Sequence, residues 1–259
     1  MKTLRLLGMA LIAVFMCASF TACSSDDDEE GGSSSGRKKL IEIKEAGEYG
    51  IHTYTFAYNG ENKLVSINEE NHTATFSWGN NAIIGTDEDG KTATLTLANG
   101  LVKTSRNTKD NESGTYTYNS SNQLISLLST IGNSNYTDIY TWENGKITKR
   151  EYDGTLREYT YDGKTCKGWC PIDYPNEFGE TLELLFFCAH PELCGKQNSQ
   201  LPSRISCKDI DYNGEYYNSS EETYTYVLNK DGYVESCTVV ETYNGNTNSD
   251  TTIYTFKWE

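Results

Sequence analysis

The sequence predicts an all-β protein, an antiparallel meander of about 14–17 short strands arranged in hairpin repeats. From Leu40 onward the residues alternate with a period of two, which is the pattern of β-strands. A Tyr-Thr-aromatic tripeptide returns along the chain, beginning at Tyr54, Tyr116, Tyr140, Tyr159, Tyr224 and Tyr254. Nine Asn-Gly or Asp-Gly dipeptides, which favour type I′ hairpin turns, have their first residues at 59, 89, 99, 144, 153, 162, 213, 231 and 244.

The spacing of the repeats excludes a parallel sheet. Most gaps between predicted strands are about two to six residues, whereas a parallel crossover needs a dozen or more. The repeat period of about 20 residues accommodates two strands and two turns, which indicates a repeat architecture. The face opposite the aromatic residues is mostly Thr, Ser, Asn and Lys. We therefore expect a curled sheet or a barrel that does not span a membrane; a closed barrel of this size would need a plug in its lumen.

The first 22 residues are expected to be a signal peptide. Lys2 and Arg5 precede an apolar run from Leu6 to Phe15 that is too short to span a bilayer. The tetrad ending at Cys23, Phe-Thr-Ala-Cys, resembles a bacterial lipobox, which implies cleavage before Cys23 and lipidation of its thiol. The acidic run at 24–30 resembles an export signal for surface lipoproteins, and its alternative interpretation is a solvated spacer. The resemblance implies an outer-membrane protein, held by its lipid anchor only and facing the cell exterior.

The mature chain then divides into a tether and one domain. Residues 23–37 combine the acylated Cys, the acidic run and a Gly-Ser stretch, which together form a flexible tether. Residues 38–259 form the β-repeat domain. Losing Lys2 and Arg5 with the signal peptide changes the formal charge from −15 to −17. Because such a surface repels phosphate and the chain has no basic stripe, we expect no nucleic acid partner.

The repeat is interrupted by an irregular insert at 164–200. All four prolines lie in or just after it, and proline is excluded from central strands. We expect helix only in this insert, over 177–187, although the apolar residues there equally suit a buried strand. Irregular segments between rigid hairpins often carry binding residues. Trp169 and Tyr174 are therefore the candidate ligand contacts.

Six cysteines besides Cys23 belong to the predicted domain. An even number in an exported protein predicts disulfides, with candidates Cys166, Cys170, Cys188, Cys194, Cys207 and Cys237. We expect Cys188–Cys194 first, and Cys166 or Cys170 with Cys207 second. The alternative is a metal site of the first four cysteines with His190, but their spacing fits a structural zinc site only loosely. No metal or cofactor is expected.

The sequence contains no recognisable catalytic motif. The Gly-x-Ser-x-Gly elbow is absent, and the three histidines lie at His52, His72 and His190 without a partner motif. We therefore expect a non-catalytic binding or scaffolding module whose partner is a surface glycan or a protein. The alternatives are a structural envelope protein without a small ligand and an unrecognised glycoside hydrolase, since carboxylates are plentiful.

The recurring unit of Tyr-x-Tyr, turn, Gly and Leu or Ile resembles tyrosine-aspartate (Rhs-type) repeats. Residues 158–163, Glu-Tyr-Thr-Tyr-Asp-Gly, are the closest copy. More specifically, the chain is similar to a domain family of unknown function in gut-bacterial lipoproteins with a porin-like fold. This resemblance implies a porin-like barrel and supplies no catalytic or binding residues.

Overall fold

The computed structural model describes residues 15–17, 38–48, 50–108, 111–171, 185–244 and 249–259, with the backbone alone at 15–17 and 169–171. Sixteen antiparallel strands form a closed barrel, and each pairs with the strands before and after it in the chain. This confirms the predicted antiparallel meander and selects the barrel over the curled sheet. The strands are β1 (Phe15–Cys17), β2 (Leu40–Gly47), β3 (Gly50–Tyr58), β4 (Leu64–Glu69), β5 (His72–Trp78), β6 (Ala82–Thr86), β7 (Thr92–Ala98), β8 (Leu101–Asn107), β9 (Glu112–Tyr118), β10 (Leu124–Ile131), β11 (Ser134–Glu143), β12 (Lys146–Tyr152), β13 (Thr155–Tyr161), β14 (Trp169–Pro171), β15 (Pro202–Ile210), β16 (Tyr216–Leu228), β17 (Val234–Tyr243) and β18 (Ser249–Trp258).

Two of these strands lie outside the barrel. β1 and β14 pair with each other in a separate two-stranded antiparallel sheet. β1 falls within the predicted signal peptide, so the barrel itself comprises β2–β13 and β15–β18. All sixteen barrel strands therefore belong to the predicted domain at 38–259.

The barrel closes between its last strand and its first. β18 pairs with β2, and Trp258 lies opposite Leu40. Beyond this pair, the backbone nitrogen of Lys39 donates to the carbonyl oxygen of Glu259 at 2.8 Å, and the Glu259 nitrogen donates back to Lys39 at 2.9 Å. We call the end of the barrel that carries these residues the proximal end, and the opposite end the distal end.

The insert also begins and ends at the proximal end, because β13 ends there at Tyr161 and β15 starts there at Pro202. Residues 185–200, which we call the plug, include the short helix α1 (Phe186–Ala189) and a 3₁₀-helix at Pro191–Cys194. Phe186, Phe187 and Cys188 have no solvent exposure. The plug therefore fills lumen that the strands' own side chains cannot fill in a barrel of this size. Residues 172–184 lie outside the described residues, and they include most of the helix predicted over 177–187.

Hydrogen bonds fix the plug to the barrel wall at several strands. His190 accepts on Nε2 from the backbone nitrogen of Leu64 at 3.1 Å, and Asn198 accepts on Oδ1 from the backbone nitrogen of Ile147 at 2.6 Å. The Lys196 nitrogen donates to the Asn122 carbonyl at 2.7 Å. These bonds satisfy backbone groups of the wall that would otherwise be buried without partners, so the plug is part of the folded core.

A repeated hydrogen bond joins neighbouring strands at the proximal end. The last inward-facing aromatic residue of a strand donates from its hydroxyl or indole nitrogen to a carbonyl near the start of the preceding strand. Five such bonds span 2.6–2.8 Å: Tyr58 to Leu40, Trp78 to Leu64, Trp142 to Leu124, Tyr161 to Ile147 and Trp258 to Val234. The recurring aromatic residues thus contribute to the core, and these five also hydrogen-bond their own strand to the strand before it.

The Asn-Gly and Asp-Gly dipeptides form two kinds of turn. At 99–100, 144–145 and 153–154 both residues have positive φ, as a type I′ turn requires. The prediction of type I′ turns at 59, 89, 213 and 231 is wrong. There an Asn or Asp side chain accepts from the backbone N–H four residues later, and the residue three positions later takes the positive φ. The first residues of these four turns are Asn59, Asp87, Asp211 and Asn229; Asn119 begins a fifth turn of the same kind, which has no Asn-Gly or Asp-Gly dipeptide.

This difference predicts unequal effects of valine at two turn glycines. Gly145 has φ +75°, and a Cβ there would lie 3.5 Å from Ser199 Oγ, whereas Gly60 has no positive φ and open space around its Cβ position. We expect Gly145→Val to lower the free energy of unfolding by about 1 kcal/mol or more, because a β-branched residue resists positive φ. Gly60→Val should change it by less than about 0.5 kcal/mol. Urea unfolding of both variants tests this, and equal losses would contradict the turn assignment.

The outer face of the barrel is mainly polar, although it also exposes apolar side chains such as Ile51, Ile139 and Val227. Outward-facing positions are mainly Thr, Ser and charged residues, as in β5, β7 and β9. Ion pairs cross between neighbouring strands on this face, including Lys257 with Glu42 at 2.7 Å and Arg204 with Glu221. Among the described residues, no helix has the length and apolar character needed to cross a bilayer.

Candidate functional site: the distal polar lumen

The barrel interior changes character along its axis. Its proximal half holds the plug and apolar side chains. A layer of buried tyrosines follows, one from each Tyr-Thr-aromatic repeat: Tyr54, Tyr116, Tyr140, Tyr159, Tyr224 and Tyr254. Beyond this layer, toward the distal end, many inward-facing residues are charged or polar, among them Asp138, Arg150, Arg157, Glu222 and Glu241. Buried polar groups are kept only where they are paired or used, so this half is the candidate functional site.

Two ion pairs occupy the centre of the distal half. Arg150 Nε donates to Asp138 Oδ1 at 2.5 Å, and Arg157 Nη2 donates to both carboxylate oxygens of Glu222 at 2.6 and 2.8 Å. The arginine side chains are 10 % exposed and the carboxylates 1 %. Arg150 and Arg157 are direct cross-strand partners on β12 and β13, so each needs its own carboxylate to offset their mutual repulsion.

Tyrosine hydroxyls add to this network. Tyr224 donates to Glu222, and Tyr243 donates to Glu241 Oε2 at 2.7 Å. Glu222 and Glu241 are direct cross-strand partners. Burial raises the pKa of Glu241 above its usual range. The Glu241 carboxyl group therefore holds its proton more tightly than an exposed glutamate would.

The opposite wall carries a second polar group. His52 Nδ1 lies 2.8 Å from Glu69 Oε1, and His52 is the cross-strand partner of Glu45. Burial raises the pKa of Glu45, and Tyr254 donates to it at 3.4 Å. At the rim, the hydrogen bond to Glu88 raises the pKa of the exposed His72. Two of the three histidines are thus rim partners of carboxylates, and His190 secures the plug.

Four inward-facing tyrosines border the distal opening on one side of the barrel. Tyr136 and Tyr152 lie on β11 and β12 with ring centroids 6.2 Å apart. Tyr217 and Tyr243 lie on β16 and β17 and are 50 % and 36 % exposed. Unlike the buried tyrosine layer, these rings reach solvent. We call them the mouth tyrosines, because they stand at the opening above the ion pairs.

The predicted disulfides do not form among the described cysteines. Cys166, Cys188, Cys194, Cys207 and Cys237 are all buried free thiols, so the expected Cys188–Cys194 bridge is absent. Burial raises the pKa of Cys166 to about 12 and that of Cys207 to about 11, which makes both weak nucleophiles. The thiols serve as core side chains, Cys188 and Cys194 within the plug.

The described residues also show no metal-binding arrangement, since no three His, Cys, Asp or Glu side chains among them are placed to hold an ion. The remaining predicted site residues are not placed by the structure. Cys23 and Tyr174 lie outside the described residues, and only the backbone of Trp169 and Cys170 is described, in β14. Lipidation and ligand contact at these positions stay predictions.

Fold and site together define a plugged sixteen-stranded barrel with a polar distal lumen. No protein-family model and no curated protein matches the chain. Among solved structures it is similar to a porin-like protein from Bacteroides uniformis, with 19 % identity and a TM-score of 0.61 over 86 % of this chain and 98 % of that one. A porin-like protein from Bacteroides vulgatus shows 12 % identity and a TM-score of 0.56 over 86 % and 99 % of the two chains. These likenesses show the fold alone; the Rhs-type resemblance and the lipoprotein signals stay predictions.

Proposed function

We propose that the protein is a lipid-anchored, surface-displayed binding module whose ligand enters the barrel at the distal opening. One observation carries this proposal: the partly exposed mouth tyrosines lie at the end of the barrel opposite to the chain's attachment. Lys38 and Lys39, where the tether meets the barrel, lie at the proximal end beside Glu259. A lipid on Cys23 therefore leaves the mouth tyrosines facing away from the membrane.

The outer face of the barrel supports attachment through the lipid alone. A barrel that spans a membrane presents a continuous apolar band to lipid, and charges on that band are destabilising. Here ion pairs such as Lys257–Glu42 and Lys208–Glu158 occupy the outer face. Processing at Cys23 would remove β1 and leave all sixteen barrel strands intact. The protein would thus stand on its tether in the outer membrane, facing outward.

Labelling of a distal turn in intact cells tests this display. Asn213, exposed in the β15–β16 turn, is changed to cysteine and treated with a membrane-impermeant maleimide. We expect Asn213→Cys to be labelled in intact cells and the wild type to show background, because its described thiols are buried. Adding Cys23→Ala should abolish attachment to the membrane fraction. Labelling that appears only after cell lysis would overturn outward display, and retention of the Cys23→Ala variant in washed membranes would overturn the anchor.

A second candidate, glycoside hydrolysis, is favoured by one observation. Glu222 and Glu241 are adjacent carboxyl groups, and burial raises the pKa of Glu241, as the acid of a glycosidase needs. However, Glu222 is 1 % exposed, and both its oxygens already accept from Arg157, with Tyr224 as a further donor. Because Glu222 is buried in this way, a sugar could not reach its carboxylate, so binding is the better-supported function. Release of reducing ends from a polysaccharide would favour the hydrolase.

A further inference from the structure

We propose that the mouth tyrosines bind a neutral polysaccharide chain, laid along the distal rim from β11 to β17. This inference rests on the proposed function and names its ligand. The rings of Tyr136 and Tyr152 lie 6.2 Å apart on neighbouring strands, and Tyr217 and Tyr243 lie on the neighbouring strands β16 and β17 and are both exposed. Tyrosine combines a large apolar face with a polar tip, which suits a ligand whose rings are apolar on one side and hydroxylated at the edge.

The spacing of the two tyrosine pairs selects a chain over a single sugar. Between them the strand order is β11, β12, β13, β15, β16 and β17. The centres of the two pairs are therefore four strand spacings apart, about 19 Å along the wall. A monosaccharide can cover one pair only. A longer chain can contact both, and the second contact then comes at the low entropic cost of an intramolecular event.

The barrel wall between the two tyrosine pairs carries, among its described residues, hydrogen-bonding side chains and no unbalanced positive charge. Thr155 Oγ1 donates to Asp209 Oδ1 at 2.9 Å, and Asp209 is the cross-strand partner of Tyr217. Below them, Arg157 is neutralised by Glu222. The partly exposed oxygens of Thr155 and Asp209 have further lone pairs that suit hydroxyl ligands.

The negative charge of the distal end argues against a polyanionic polysaccharide as the ligand. The distal turns are acidic, with Asp153, Asp211 and Glu215 on the same side of the opening. The chain as a whole carries a formal charge of −15. Sulfated or uronic acid chains would be repelled by this field, so a neutral chain is the class that fits both the rings and the charge.

Isothermal titration of the chain from Cys23 onward, which contains every barrel strand, tests the proposal. The probes are malto-, manno- and xylo-oligosaccharides from the monosaccharide to the octasaccharide, with heparin and polylysine as charged comparisons. We expect one neutral series to bind more tightly as the chain lengthens, with no detectable monosaccharide binding. Tyr217→Ser should weaken binding of the longest oligosaccharide by about tenfold, or ~1.4 kcal/mol.

Tyr216→Ser is the matched control. Tyr216 adjoins Tyr217, is 46 % exposed against 50 %, and pairs with the outward-facing Ile210. It should leave binding unchanged, and Tyr136→Ser should repeat the loss from the other pair. Absence of binding to all three series, equal losses at Tyr216 and Tyr217, or preference for heparin or polylysine would each overturn the proposal. None of these outcomes changes the intact-cell labelling result, so failure of this inference is distinguishable from failure of surface display.

Discussion

Replacing Phe186 with alanine is expected to lower the free energy of unfolding by about 3–5 kcal/mol. Phe186 has no solvent exposure, and its ring centroid lies 4.9 Å from that of Phe76 and 5.7 Å from that of Trp78. These contacts join the plug to β5. A closed barrel has little freedom to contract around the missing ring, so the lost transfer energy is compounded by a cavity. Urea unfolding followed by tryptophan fluorescence measures the loss.

Tyr212→Ala is the matched control for this aromatic deletion. Tyr212 is 97 % exposed in the β15–β16 turn, so its removal should change the free energy of unfolding by less than about 0.5 kcal/mol. The buried thiols of Cys188 and Cys194 provide a second measurement. They should react with an alkylating agent at lower urea in Phe186→Ala than in the wild type. Equal stability of the two variants would show that the plug is not part of the core.

Replacing Arg157 with methionine is expected to cost about 3–5 kcal/mol, because Glu222 would remain as a buried charge without its cation. Glu222 is 1 % exposed, and Arg157 donates to both its oxygens. Lys208→Met is the control, since its partner Glu158 is 35 % exposed at the surface. That change should cost less than about 1 kcal/mol. Thermal or urea unfolding at neutral pH compares the two.

The pH dependence of the free energy of unfolding of Arg157→Met distinguishes two causes of its loss of stability: an unpaired buried charge and lost packing. Without the arginine, burial would raise the pKa of Glu222 above its unfolded value. Such a group destabilises the fold as pH rises past the unfolded pKa, so the deficit of the variant should shrink as pH falls from 7 toward 4. Glu222→Gln, added to Arg157→Met, should recover part of the loss at neutral pH. A deficit that is independent of pH and unchanged by Glu222→Gln would contradict this account.

The barrel could be predicted from the sequence because its determinants are local. Strand alternation, hairpin turns and short gaps are each readable within about 20 residues, and they specify an antiparallel meander. The need for a plug followed from the strand number and the size of the lumen. The turns were predicted less well. Five described turns, beginning at Asn59, Asp87, Asn119, Asp211 and Asn229, have an Asn or Asp side chain that accepts from the backbone N–H four residues later, against three type I′ turns.

The distal site could not be predicted, because long-range pairing creates it. Arg157 and Glu222 are 65 residues apart, and no local pattern joins them. The sequence contains one weak indication of the mouth tyrosines. Tyr216 and Tyr217 are consecutive at the end of a strand, where strict alternation would bury only one of them. Nor could the state of the cysteines be predicted, since an even count does not reveal that Cys188 and Cys194 serve as core residues.

Closure of β18 onto β2 also bears on how the protein matures. The strands that seal the barrel are its first and its last, so their contact is the one most distant in sequence, and contacts of this kind slow folding. Until β18 has been made, β2 and β17 both present unpaired edges that invite association with other chains. The last strand must therefore be present before the sheet can close, and β2, the first barrel strand to be made, keeps an unpaired edge for the longest time.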